Sequence, residues 1–211
     1  PISSGFVFLY SDHSLREKMQ IATELVGKFD RAFDNAMKHR TTLDLALTDP
    51  LTKSYNRAYF AAYLNRELIE MPMSDKIRNV CIIDVDDFKK YNDAQGHAEG
   101  DRILIEITRA VKLELDAGDV FARYGGEEFV LFFSESTIEK AFEKADKIRL
   151  AVSSCGITVS IGILSVISVL FAPDEMVKAA DKALYAAKTS GKNKVVQCVA
   201  KQDGDISYVR D

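Results

Sequence analysis

The run Val80-Cys-Ile-Ile-Asp-Val85 does most to limit what this chain can fold into. Successive strand residues point to opposite faces, and here both faces are apolar up to Asp84. Such a run fits a central strand, which must be covered on both sides. Its C-terminal end is acidic, with Asp84, Asp86 and Asp87 in close succession. A lone carboxylate at a strand end is usually a helix cap or a surface residue. A cluster is harder to explain that way.

The flanking sequence supplies the cover. Asn56 to Glu70 reads as a helix with Tyr59, Phe60, Tyr63, Leu64 and Leu68 on one side, and Glu99 to Leu115 as another, with Ile103, Leu104, Ile107, Val111 and Leu115 inward. Val120 to Tyr124 and Glu128 to Phe133 are strands joined through Gly125-Gly126, a hairpin signal. Ser136 to Val152 is helical, with Ser136 or Thr137 as its cap. Leu150 to Pro173 carries no charge and is long enough to cross a bilayer. It also holds five serines and a β-branched core, Gly156 to Leu164, and so reads as two neighbouring buried strands. The helix Pro173 to Thr189 and a strand Lys194 to Val199 follow. The pattern is α+β, a sheet containing antiparallel pairs with helices packed on it.

Upstream the pattern changes. From Asp12 to Leu47 there is no proline, and Leu15, Ala22, Phe29, Ala36 and Leu43 recur every seven residues. That is a coiled-coil seam, a rod of roughly 50 Å at the α-helical rise. It would end at Thr48-Asp49-Pro50. Residues 1–11, with the β-like run Phe6 to Tyr10, read as the end of an upstream domain or linker, and 201–211 as a C-terminal tail. A chain beginning at Pro1 is expected to be a piece of a longer protein. A net charge of −4 gives no general attraction to nucleic acid or anionic lipid. Three scattered cysteines and three scattered histidines fit neither a disulfide framework nor structural zinc; they suit a reducing cytoplasm.

If the strand at 80–86 lies beside the hairpin, then Asp84, Asp86, Glu127 and Glu128 crowd together. Crowded carboxylates raise one another's pKa unless cations neutralise them. Hard oxygen donors with open positions suit Mg²⁺, which completes its shell with water and phosphate oxygens. Such sites carry out phosphoryl or nucleotidyl transfer. Phe88-Lys89-Lys90 follows directly, where backbone N–H groups and Lys89 could hold a triphosphate. Lys188 and Lys192, around Ser190-Gly191, add positive charge.

Five motifs in order then carry a resemblance. Asp49-Pro-Leu-Thr52 with Asn56-Arg57 comes first, then Asp84-Val-Asp-Asp-Phe-Lys89 with Asn92-Asp93, Gly96-His97 and Gly100-Asp101. Arg123-Tyr-Gly-Gly-Glu-Glu-Phe129 follows, then Thr158-Val-Ser160 with Gly162, and Ala180-Asp181-Lys-Ala-Leu-Tyr185 with Ala187-Lys188. Over residues 48 to about 200 the chain resembles the GGDEF family of diguanylate cyclases, in its GGEEF form. The resemblance implies a palm-like, ferredoxin-like fold of the nucleotide-cyclase type. It implies that two GTP condense to cyclic di-GMP and two pyrophosphates, with Mg²⁺ (or Mn²⁺ in its place), in a homodimer held by the N-terminal helix. Carried over by residue, Asp84 and Glu127 would bind metal, with Glu128 and the Val85 carbonyl assisting. Glu127 would be the base, or metal ligation would equally lower the 3′-hydroxyl pKa, and Lys89 would stabilise transition-state charge. Phe88, Asn92, His97 and Asp101 would hold substrate, and Lys188 and Lys192 the departing pyrophosphate.

Three further expectations follow from the resemblance. Asp101 and Asn92 present the acceptor and donor that select guanine. Asp116-Ala-Gly-Asp119 stands where many members carry a product-binding Arg-x-x-Asp, so that control is expected to be missing, with Lys112 one turn earlier as a partial substitute. The upstream part would hold a sensor, for which a forkhead-associated domain is one candidate. The competing reading is a catalytically degenerate module of the same family that binds GTP or cyclic di-GMP as a receptor.

Overall fold

The computed structural model describes Thr23, Val26, Lys28 and residues 46–70, 77–134, 137–167, 171–200 and 206–210. The chain separates into two compact units, residues 1–46 and 47–211. Most of the segment read as a coiled coil, with the β-like run at 6–10, lies outside the described residues; Thr23, Val26 and Lys28 are helical.

In the second unit the elements run β1 (Tyr55–Asn56), α1 (Arg57–Glu70), β2 (Arg78–Val85), α2 (Phe88–Gln95), α3 (His97–Leu113), β3 (Val120–Arg123), β4 (Glu128–Phe133), α4 (Ile138–Ser153), β5 (Val159–Val166), α5 (Pro173–Thr189), β6 (Val195–Ala200) and β7 (Ile206–Arg210). The strands form one sheet in the order β1-β3-β4-β2-β5-β6-β7. β2 lies between β4 and β5 and is antiparallel to both, while β5 and β6 run parallel. This is a mixed sheet with helices on both faces, the palm-like α+β arrangement.

All eight residues of β2 are buried, as its apolar pattern requires. Cys81, Ile83 and Val85 pack with Ile103, Leu104 and Ile107 of α3 and with Ala145, Ile148 and Val152 of α4. Val80 and Ile82 face the other way, onto Phe60 and Leu64 of α1 and Met176, Ala180 and Leu184 of α5. Alternation in one strand thus divides the core into two layers. On the second layer α5 comes very close to the sheet. A Cβ on Gly162 would lie 2.1 Å from the backbone nitrogen of Leu184 and 2.3 Å from the carbonyl of Ala180.

Four details differ from the sequence reading. Among the described residues one eight-residue strand, β5, follows α4 where two strands were expected. The inward face of α4 runs through Ala145, Ile148 and Val152 at helical spacing, as its apolar pattern requires. The tail contains β7, paired antiparallel with β6, because Ile206 to Arg210 can add to that open edge. A separate helix, α2, occupies Phe88–Gln95, and α3 starts at His97, before Glu99. Gly96, at φ 89°, makes the break between them. The α4 cap is Thr137, whose hydroxyl accepts from the Lys140 N–H at 3.2 Å. No described helix is long and apolar enough to cross a membrane.

Candidate functional site

The C-terminal end of β2 is held from both sides. Asp84 pairs with Glu128 across β4 and with Ser160 across β5. Beyond the ladder, the Val85 N–H donates to the Glu127 carbonyl at 3.2 Å and the Asp86 N–H to the Thr158 carbonyl at 2.9 Å. The sheet therefore delivers Asp84 to the base of the Gly125-Gly126 hairpin.

Asp84 is 6% exposed and its carboxylate meets the Lys188 ammonium of α5 at 2.7 Å. Burial pushes its pKa up, and Lys188 only partly opposes this. Burial also raises Glu128, and the Asp84 charge opposite adds to the rise, with Asp181 and Glu127 contributing. These are two carboxylates short of positive charge. A Cβ on Gly125 would fall 2.8 Å from a Glu128 carboxylate oxygen, so glycine there leaves the acid its room.

The Asp86 charge adds to the rise at Asp84, as the expected crowding requires, but its own carboxylate is engaged by other partners. Its carboxylate accepts from Thr158 Oγ1 at 2.8 Å, Ser160 Oγ at 2.7 Å and the Asn193 N–H at 3.0 Å. Among the described residues, no three His, Cys, Asp or Glu side chains converge as a ready-made metal cage. Mg²⁺ does not need one. It is commonly held by one or two carboxylates, with water and phosphate oxygens filling the octahedron. Asp84 facing Glu128, both with raised pKa, fits that requirement in donor type and in charge.

The hairpin tip is braced from behind. Arg123 donates to the Gly126 carbonyl through Nε at 3.1 Å and Nη2 at 2.6 Å, and through Nη1 to Asp49 at 3.1 and 3.3 Å. Asp49 also accepts from the backbone and hydroxyl of Thr52, both at 2.8 Å. Burial works to raise the Asp49 pKa, but the Thr52 and Arg123 hydrogen bonds outweigh it and hold it below the usual carboxylate value. The motif Asp49-Pro-Leu-Thr52 is thus a strut to the Gly-Gly tip. The sequence shows the motif but not the strut, because the partners are 74 residues apart.

On the other side of Asp84 the chain turns through Asp87, at φ 55°, into α2. Lys89 lies exposed in the first turn of α2, one residue after buried Phe88. Asp87 bonds to Lys192 at 2.8 Å and to Lys90 at 2.7 Å, and these ammonium groups bring its pKa down to about 2. Lys188 and Lys192 therefore stand at Asp84 and Asp87, either side of β2's end. Asn92 and Gly100 meet where α2 packs on α3. Asn92 Oδ1 is buried with no hydrogen-bond partner, and a Cβ on Gly100 would lie 1.8 Å from it. Asp101 is the next residue on α3, and His97 opens that helix; both are exposed.

The position of the expected product-binding motif holds a cation of its own. Lys144 of α4 bonds to Asp116 at 2.5 Å and to Asp119 at 2.6 Å. Lys112 takes no part, because its ammonium donates to the Lys53 carbonyl at 3.0 Å. The cation that serves this loop comes from another helix, which sequence proximity does not reveal.

Comparison with known proteins gives one consistent answer. Residues 46–194 match the family model described as "Diguanylate cyclase, GGDEF domain". The response regulator PleD of Caulobacter vibrioides is 34% identical over 194 residues, covering 87% of this chain and 42% of that protein. Diguanylate cyclase A of Treponema denticola is 33% identical over 200 residues, covering 86% of this chain and 54% of that protein. The chain thus spans about half, or less, of these relatives. Among solved structures, diguanylate cyclase SiaD of Pseudomonas aeruginosa, in complex with its activator SiaC, matches with a TM-score of 0.68 at 31% identity, over 87% of this chain and 75% of that one. The coiled coil and GGDEF domain of DgcB from Caulobacter crescentus, in complex with c-di-GMP, matches with a TM-score of 0.70 at 27% identity, over 88% of this chain and all of that one.

Proposed function

The chain belongs to the GGDEF family of diguanylate cyclases, and we propose that it condenses two GTP into cyclic di-GMP with release of two pyrophosphates. The observation that carries this reading is Asp84 set opposite Glu128 at the foot of the Gly-Gly hairpin, both carboxyls with raised pKa. A degenerate module would have no need of that costly pair. Mg²⁺, or Mn²⁺ in its place, would be held by Asp84 and Glu127 with help from Glu128 and the Val85 carbonyl, and would supply charge neutralisation and an acidified 3′-hydroxyl.

The chain's own residues do the rest. Glu127 takes the hydroxyl proton. Lys89 stabilises the charge that grows on the phosphates, and the N-terminal backbone of α2 at Phe88 receives them. Lys188 and Lys192, paired with Asp84 and Asp87, would neutralise pyrophosphate as it leaves. Asp101 accepts from guanine N1–H and N2–H₂ while the Asn92 amide supplies a donor to O6, with His97 beside them.

The product has twofold symmetry and one domain is assigned one GTP, so two protomers must face each other. Residues 12–47 are assigned to hold them as a coiled coil, residues 48–200 to catalysis, and whatever lies upstream to sensing, with a forkhead-associated domain one candidate. Free thiols at Cys81, Cys155 and Cys198 support a cytoplasmic setting. Incubation with GTP and Mg²⁺ followed by chromatography tests the reading. Cyclic di-GMP and pyrophosphate are expected; GTP that binds and remains unconverted would identify a receptor module instead.

A further inference from the structure

We propose that Asp86 is a positioning residue that sets Lys192 for the triphosphate, acting through the turn between α5 and β6; this rests on the function proposed above. Asp86 is 5% exposed and lies two residues beyond Asp84. Two hydroxyls and one backbone N–H engage both of its oxygens, Oδ2 twice and Oδ1 once. Thr158 and Ser160 belong to the run leading into β5, whereas Asn193 belongs to a separate turn. The carboxylate is therefore a junction between β2, β5 and that turn.

The turn needs such an anchor. Gly191, Lys192 and Asn193 all have positive φ, at 120°, 61° and 46°. The left-handed region disfavours side chains other than glycine, so two successive non-glycine residues there are costly unless the surroundings hold them. Three fixings are present. The Lys192 N–H donates to the Ala187 carbonyl at 3.0 Å, and Asn193 Oδ1 accepts from Arg149 at 3.0 Å. The Asn193 N–H is held by Asp86, the one fixing that is a buried charge. A hydrogen bond to a charged acceptor is the strongest of these. The turn so fixed brings the Lys192 ammonium to Asp87 at the mouth of α2. Asp87 immediately precedes α2, whose N-terminal backbone is assigned to the phosphates. Lysine is flexible and offers a point charge without a fork, so its position depends on the backbone that bears it.

The chemistry of substitution gives the test its direction. In Asp86→Asn the amide oxygen can still accept from Asn193, and the Ser160 hydroxyl can rotate to accept from the amide NH₂. Asp86→Ala leaves all three donors without an acceptor. Hydrogen exchange of the amides at 191–194 reads the anchor without any ligand: protection is expected to fall sharply in Asp86→Ala and largely to return in Asp86→Asn. With GTP, Asp86→Ala is expected to raise KM by roughly 10- to 100-fold, more than it lowers kcat, as for loss of a bond to a charged group. In a Lys192→Ala background the same change is expected to leave KM within about twofold.

Unchanged exchange at 191–194 in both variants would overturn the anchor. Lost protection with unchanged KM, or a full effect in the Lys192→Ala background, would overturn the positioning role. If Asp86→Ala does not fold, the Asp86→Asn and Thr158→Val variants in the same cycle decide between these outcomes. A wild-type protein that neither binds nor converts GTP would sink the functional reading, while the exchange result would still judge the anchor.

Discussion

Asp84 and Glu128 show how much the residue scale decides. A carboxylate in an apolar strand is legible as a candidate site, because nothing in the core needs it. Asp86 is equally buried, yet it is a junction. Spacing puts both on one side of the strand but does not say which one meets hydroxyls and which meets another acid. The Glu128 pKa lies above 4.5, raised by burial and then by Asp84. The folded state therefore holds that proton more tightly than the unfolded chain, and stability falls as pH rises from 4.5 through the folded value. Glu128→Gln removes this cost. It is expected to be more stable than wild type at pH 7 by about half a kcal/mol, allowing for solvent at the site, and equal below pH 4.5. Urea denaturation without metal or nucleotide, repeated across pH, reads both ends.

At the scale of elements, the strands and helices with clear periodicity are legible: β2, the β3–β4 hairpin, and helices α1, α4 and α5 fall where their apolar spacing puts them. Where periodicity is short or masked the reading fails. α2 spans only eight residues and carries three charges, and its boundary with α3 rests on one glycine. The uncharged run after α4 suggests two strands, but among the described residues it forms one, β5. Gly162 shows the cost of close packing between elements. Gly162→Ala would force α5 off the sheet and is expected to cost roughly 1–3 kcal/mol in denaturant titration. It would also draw Lys188 away from Asp84, so turnover should fall more than the stability loss explains. The α4 side chain Lys144 closes the loop at Asp116 and Asp119, leaving no guanidinium to grip a dianion. Initial rates are accordingly expected to be insensitive to added cyclic di-GMP; inhibition abolished by altering Lys144 would refute this.

For the whole molecule, a single domain is assigned one nucleotide site while the proposed product needs two. The seven-residue repeat from Leu15 to Leu43 would supply the second by raising one site's effective concentration for its mate. Deleting residues 1–45 is expected to make specific activity fall steeply on dilution over a range where the longer chain holds its rate. Light scattering alongside the assay would show whether the loss tracks dissociation. Sequence alone reaches this proposal because a heptad is a one-dimensional signal. The strut from Arg123 to Asp49 is a three-dimensional one: residues distant in the chain and joined only by the fold, at the point where the repeat ends.

On the proposed function, the Asp84–Glu128 pair exists for chemistry and at the expense of stability. The initial rate of cyclic di-GMP formation by Asp84→Asn, at saturating GTP and Mg²⁺, tests it most directly. The account predicts a fall of about a thousandfold or more, in a protein whose ligand-free melting temperature equals or exceeds that of wild type. A variant that keeps its rate within about tenfold, or loses it only by unfolding, would contradict the account.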